Sequence, residues 1–143
     1  MAAGKNLLSR VPNHFVKTIT FDGTAGNGAT GTVAIATVTG RILITYLSAH
    51  CSTTIVTTAN GEIELGVASN TAELIAQIAD AGDLIATEYW NDATPTQVNA
   101  SDAIVDKLVA ANIILTVSTS PMTAGVIEFA LFWLPLSVDG NLA

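Results

Sequence analysis

Val, Ile and Thr supply 44 of the 143 residues, and this limits the fold more than any other feature of the chain. Two heavy atoms on Cβ stiffen χ1, which suits a pleated, half-buried surface better than a helix. The apolar periods point the same way. In Arg41-Ile42-Leu43-Ile44-Thr45-Tyr46-Leu47, residues Ile42, Ile44 and Tyr46 share one face. Leu43, Thr45 and Leu47 take the other, so this strand is expected to be buried on both sides. Ile113 to Val117 reads the same way. In Val126 to Leu134, residues Ile127, Phe129, Leu131 and Trp133 share a face and Glu128 lies opposite.

Strands are expected near 14–22, 32–39, 41–50, 53–59, 62–67, 83–90, 103–109, 112–118 and 124–134, with Ile42, Ile44, Leu115, Val117, Phe129 and Leu131 in the core. Asn60-Gly61 supplies two residues that tolerate φ > 0, as a type I′ hairpin requires. Such a turn would pair 53–59 with 62–67. Val56, Thr58, Ile63 and Leu65 would share one face, with Glu62 and Glu64 on the other. One helical segment is expected. Asn70-Thr71-Ala72-Glu73 has the form of a capping box, Leu74, Ile75 and Ile78 follow at helical spacing, and Gly82 lies near the end. About eight strands with frequent turns give a mainly β, single-domain antiparallel β-sandwich of jelly-roll type, with at most one or two short helices.

Charge is the second constraint. Lys, Arg, Asp and Glu make up 12% of the chain, about half the usual ~25%. Half the residues are apolar, which excludes disorder. A net charge of −7 repels phosphate and disfavours nucleic acid as a partner. The longest C-terminal apolar stretch, Ala124 to Leu136, contains Glu128 and Pro135 and falls short of the ~20 residues of a spanning helix. No signal-peptide pattern opens the sequence. So few charges leave much of the exterior weakly polar, and we read that surface as covered by partner subunits, making the chain a homo-oligomer. Residues 1–17 hold Lys5, Arg10 and Lys17 with no acid, a local +3 against −10 for the rest. Residues 1–12 are read as an N-terminal arm, with Leu7, Leu8 and Val11 to bury, and residues 13–143 as the sandwich domain.

Chemistry-bearing motifs mostly dissolve on inspection. Gly26-Asn27-Gly28-Ala29-Thr30-Gly31 matches G-x-G-x-x-G, but a β-branched segment follows where a dinucleotide site needs a helix. His50 and Cys51 are neighbours on a strand and point to opposite faces, so they form no dyad. Two His and one Cys are too few for most zinc sites, and Asp22 and Asn27 alone make no calcium loop. Asp80, Asp83 and Glu88, or Glu62 with Glu64, read as solvated strand and loop ends. Asn99-Ala100-Ser101 is a glycosylation sequon with meaning only in a secretory pathway. Catalytic residues, metal ligands and a cofactor are therefore not expected. Trp90, Asn91 and Asp92 are the candidates for an alternative role, contact with a glycan, in which Trp90 would stack on a sugar.

Several segments in order carry a resemblance. Gly31-Thr32-Val33 is followed by Val38-Thr39-Gly40 and a long apolar strand. Ile63-Glu64-Leu65-Gly66 leads to Asn70-Thr71-Ala72, then to Trp90-Asn91-Asp92-Ala93 and Ile113-Ile114-Leu115-Thr116-Val117. Thr123-Ala124-Gly125 opens a last strand ending Phe132-Trp133-Leu134-Pro135-Leu136-Ser137. Over roughly residues 18–140 this resembles small tailed-bacteriophage capsid decoration, or cement, proteins. The match is one of pattern and order, with no single diagnostic motif. The resemblance implies a structural protein on the outer surface of the virion, made in the host cytoplasm. It implies the major capsid protein as partner and a homotrimer as the oligomer. The arm residues Lys5, Leu7, Leu8 and Arg10 would then contact the capsid. The competing reading is a glycan- or receptor-binding fibre or spike domain.

Overall fold

The structure is a computed structural model, which describes residues 11–97 and 106–143. Its strands are β1 (Asn13–Thr20), β2 (Gly31–Ala36), β3 (Val38–Thr39), β4 (Ile42–Thr57), β5 (Glu62–Val67), β6 (Asn70–Ile78), β7 (Lys107–Val109), β8 (Ile113–Ser118), β9 (Met122–Pro135) and β10 (Asn141–Leu142). A single 3-10 turn, Ala81–Asp83, is the one helical element among the described residues. Two four-stranded sheets form, in the orders β1-β9-β4-β7 and β2-β8-β5-β6, and every pairing is antiparallel. A small third pairing joins β10 to β3.

These orders are those of a jelly roll. Each sheet interleaves strands from the first half of the chain with strands from the second, and the chain changes sheet at every step except the β5–β6 hairpin. The side-chain period of two then sends alternate residues into one shared core. Ile42, Ile44, Phe129 and Leu131 enter it from the first sheet, and Leu115 and Val117 from the second, all buried. In β9, Ile127, Phe129, Leu131 and Trp133 face inward and Glu128 outward, as the alternation predicts.

Three expectations need correction. First, Asn60-Gly61 is not a hairpin turn. The β4 strand lies in the first sheet and β5 in the second, so the segment between them crosses the sandwich. Asn60 takes the left-handed conformation (φ 43°), which satisfies its local preference, but Gly61 does not. Glycine is required at 61 for closeness: a Cβ there would collide with Met122 Cε, Thr57 Oγ1 and the Ser120 carbonyl. The β8–β9 connection crosses beside it, and the Thr58 and Ser120 hydroxyls join the two crossings at 2.5 Å. The strands flanking Asn60-Gly61 instead find partners in Ser118 (with Glu62) and Met122 (with Thr57).

Second, the helix expected after Asn70 is the strand β6. From Ile63 to Leu65 the partner β5 advances two residues, while β6 advances three, from Ile78 to Ile75. From Leu65 to Val67 it advances two against five. These bulges space the buried Leu74, Ile75 and Ile78 like a helical stripe. The Asn70–Glu73 pair does form, with Asn70 Nδ2 donating to Glu73 Oε2 at 2.6 Å, but on an extended chain.

Third, the segments 41–50 and 53–59 are one long strand, β4, and a bulge between Ile44 and Tyr46 resets its faces. Leu47, Ala49 and Cys51 therefore join Ile42 and Ile44 inside, while Tyr46 turns outward with Leu43. The expected strand 83–90 is irregular but still covers β4's open edge. Backbone bonds run from Ile55 to Leu84, Cys51 to Glu88 and Trp90 to Ala49 (2.8–3.1 Å). Covering an edge in this way blunts it against stray pairing.

Candidate functional site

The outer face of the first sheet is the surface with most to explain. Register sets its composition row by row. Leu134, Leu43 and Leu108 stand side by side on β9, β4 and β7. Next come His14, Phe132 and Tyr46, then Val16, Ala130 and Ser48, then Thr18, Glu128 and His50, then Thr20, Val126 and Thr53. The first three rows are mostly apolar or aromatic. His14 stacks on Phe132 (centroids 4.9 Å apart), Phe132 meets Tyr46 at 5.8 Å, and His50 meets Tyr89 at 4.9 Å. Leu108 is 59% exposed, Val16 47% and Phe132 38%. Leu136 and Val138, just past β9, are also exposed.

The charges of the two sheets differ. The four strands of the first carry two lysines, Lys17 and Lys107, against one acid, Glu128. Those of the second carry Glu62, Glu64 and Glu73 with no base. Lys107 Nζ and Glu73 Oε1 pair at 3.6 Å at the side where β7 and β6 adjoin.

Four of the acids singled out in the sequence, Glu62, Asp22, Asp80 and Glu88, are occupied as local acceptors. Glu62 Oε2 accepts from Ser118 Oγ (2.9 Å), Thr119 Oγ1 (2.8 Å) and Gln77 Nε2 (3.1 Å). The Ser118 and Thr119 hydroxyls hold its pKa below the ordinary carboxylate value. Asp22 is held low in the same way by the Thr24 hydroxyl and backbone N–H, in the loop that the glycine motif forms ahead of β2. The Asp80 carboxylate accepts from Gly82 N–H (2.9 Å) and so begins the 3-10 turn. Glu88 accepts from Ile85 N–H at 3.1 Å. Among the described residues, no three His, Cys, Asp or Glu side chains converge as metal ligands would.

Cys51 faces the core, fully buried, and its pKa is pushed up to about 11 by that burial. His50 points to the other face, as strand alternation requires. Trp90 does not serve as a sugar platform: it is fully buried, edge-on to Phe129, with Nε1 donating to the Ala76 carbonyl at 3.0 Å. Asn91 is 3% exposed, and neither its Nδ2 nor its Oδ1 has a partner. Only Asp92 of that trio is exposed, and it accepts from Thr94 N–H at 2.7 Å. The local run of an aromatic and two polar residues said nothing of burial; packing beneath the covering segment decided it. The arm residues Lys5, Leu7, Leu8 and Arg10, and the sequon at Asn99, lie outside the described residues.

Sequence reasoning missed the outer face as a site. Its signal was present in the two-sided apolarity of Ile42 to Leu47, which reads equally as a fully buried strand. Compared with family models, with curated proteins and with solved structures, the chain matches none.

Proposed function

We propose that this chain is a structural virion protein that binds the outer surface of a bacteriophage capsid and stabilises contacts between its subunits. The observation that carries the reading is a jelly-roll sandwich with about half the usual charge and one broad sheet face left apolar. A surface of that kind suits permanent cover by other protein. Jelly rolls recur in viral shells, though the architecture also serves lectins. An acidic body is favoured outside the shell, away from packaged DNA. In this reading the basic arm, with Lys5, Leu7, Leu8 and Arg10, reaches onto the major capsid protein, and the chain acts as a homotrimer without cofactor or catalysis. A ligand that binds only the assembled lattice stabilises it by RT ln(1 + [L]/Kd), so the function is mechanical and follows from mass action.

The test is co-sedimentation of the purified protein with undecorated heads, with and without residues 2–12. The full chain is expected to pellet with heads and to raise their melting temperature. The truncated chain should bind more weakly and with a shallower salt dependence, because screening removes charge pairing at the arm. No co-sedimentation of the full chain would overturn the capsid reading, and equal binding of the two forms would remove the arm from it.

A further inference from the structure

We infer that Asn27 is a site of spontaneous deamidation in the folded chain, and that the Thr57 hydroxyl shields Asn60 from the same reaction.

Two asparagines of the sequence stand directly before glycine, in Asn27-Gly28 and Asn60-Gly61. Asparagine is thermolabile for a definite chemical reason. The backbone nitrogen of the next residue attacks the side-chain carbonyl carbon, Cγ. A new Cγ–N bond forms, the Cγ–Nδ2 bond breaks, and Nδ2 leaves as ammonia with the hydrogen that the backbone nitrogen gives up. Water then opens the five-membered imide at either carbonyl, giving aspartate or isoaspartate with no change of oxidation state. A following glycine makes the attack easiest, because no side chain blocks the approach. By sequence the two pairs are equally reactive, and both asparagines are exposed.

The fold separates them at the attacking nitrogen. Gly61 N–H donates to Thr57 Oγ1 at 2.9 Å. That hydrogen has to be released before the nitrogen can attack, and the bond holds it on Thr57, away from solvent base. The Gly61 carbonyl accepts from Ala81 N–H at 2.7 Å, so both polar groups of Gly61 are tied. Closing the imide ring turns the Asn60 Cα–C bond and carries Gly61 with it, against Met122, Thr57 and the Ser120 carbonyl. Gly28 is close-packed as well, against the Met122 carbonyl and Phe21, and its own carbonyl accepts from Met122 N–H at 2.8 Å. The Asn27 backbone is also held, its N–H donating to the Thr24 carbonyl and its carbonyl accepting from Asp22 N–H, each at 2.9 Å. The Gly28 N–H, however, donates to none of the described residues. Thr57 is thus the difference between the two pairs. Each conversion adds a negative charge to a chain already at −7. At Asn60 an isoaspartate would also lengthen the main chain where the two crossings of the sandwich touch, so the shield stands where the lesion would do most harm.

The experiment is a time course of the full chain in mildly alkaline buffer. Peptide mapping by mass spectrometry follows, at each asparagine, the mass gain of NH2 replaced by OH. In urea the two pairs should convert at similar rates. In the folded wild type Asn27 should convert about fivefold faster than Asn60, the factor that one hydrogen bond supplies. Thr57→Val should raise the Asn60 rate by a similar factor and leave Asn27 unchanged, while Thr57→Ser, which keeps the hydroxyl, should match the wild type. Equal rates at Asn27 and Asn60 in the folded wild type would overturn the assignment. So would an Asn27 that converts only in urea, or an Asn60 rate that Thr57→Val does not move. Circular dichroism and thermal melting report whether Thr57→Val folds. Should that variant unfold, or speed both asparagines alike, hydrogen exchange on the wild type decides: slow exchange of the Gly61 amide supports the shield and rapid exchange refutes it.

Discussion

The two sheets share one core but have very different exteriors. Outside the first stand Leu43, Leu108, Leu134, Phe132, Tyr46 and Val16, and outside the second Glu62 and Glu64 stand among Thr32, Thr116, Ser118, Ala34 and Ile114. The inward residues are interchangeable in kind: Ile42, Leu131 and Phe129 on one side, Ile63, Leu65 and Leu115 on the other. Folding requires the inward set to be apolar and leaves the outward set free. A difference between the two outer faces therefore reflects what each meets after folding. Acid and hydroxyl groups fit water, while leucine and aromatic rows fit protein.

The largest expected effect tests the shared core. Leu115→Ala, in the second sheet, and Leu131→Ala, in the first, should each cost about 2–5 kcal/mol, as fully buried leucines do. Urea unfolding measures both. A cost below about 1 kcal/mol for either would mean that the sheets do not close on each other equally. The join between them comes next. Gly61→Ala should cost about 1–3 kcal/mol by overpacking against Met122 and the Ser120 carbonyl, with no left-handed strain involved. A neutral result would show that the crossing yields easily. The smallest effect belongs to the acidic face. Because Glu62 has a depressed pKa when folded, its contribution is present above the ordinary carboxylate value of 4.5. It is lost as pH falls from there through the lower folded value. Glu62→Gln should remove that small contribution at neutral pH, flatten the acid limb of the stability–pH curve in that window, and match the wild type below it. An identical acid limb would mean that the Ser118 and Thr119 hydroxyls do not favour the charged form.

How legible this was from sequence depends on whether the signal was local. Ile127, Phe129, Leu131 and Trp133 alternate without interruption, and the strand, its core face and the outward Glu128 all follow. The sandwich class and the six named core residues came from the same alternation. Asn60-Gly61 misled because the turn preference of a dipeptide is satisfied by one left-handed residue, whichever sheets the flanking strands join. Leu74, Ile75 and Ile78 misled because bulges in β6 reproduce a helical spacing. The Trp90 environment was illegible for a different reason. It is made by Phe129 and Ala76, distant in sequence, and by an irregular segment whose hydrogen bonds no periodicity encodes. The outer face was half legible: apolarity on both sides of Ile42 to Leu47 was visible, but nothing local separates deep burial from an apolar outer face.

The interleaved strand order also bears on how the protein comes into being. The inner strands next to β1 and β2 are β9 and β8, near the chain's end, so Asn13 finds its partner only when Trp133 has been made. Synthesis at about 5–20 residues per second would leave the early strands waiting for several seconds or more, with Ile42 and Ile44 uncovered. Such long-range pairings make for slow folding, on the order of milliseconds to seconds even once the chain is whole. The growing polypeptide therefore passes through an interval in which its future core is exposed to the crowded cell.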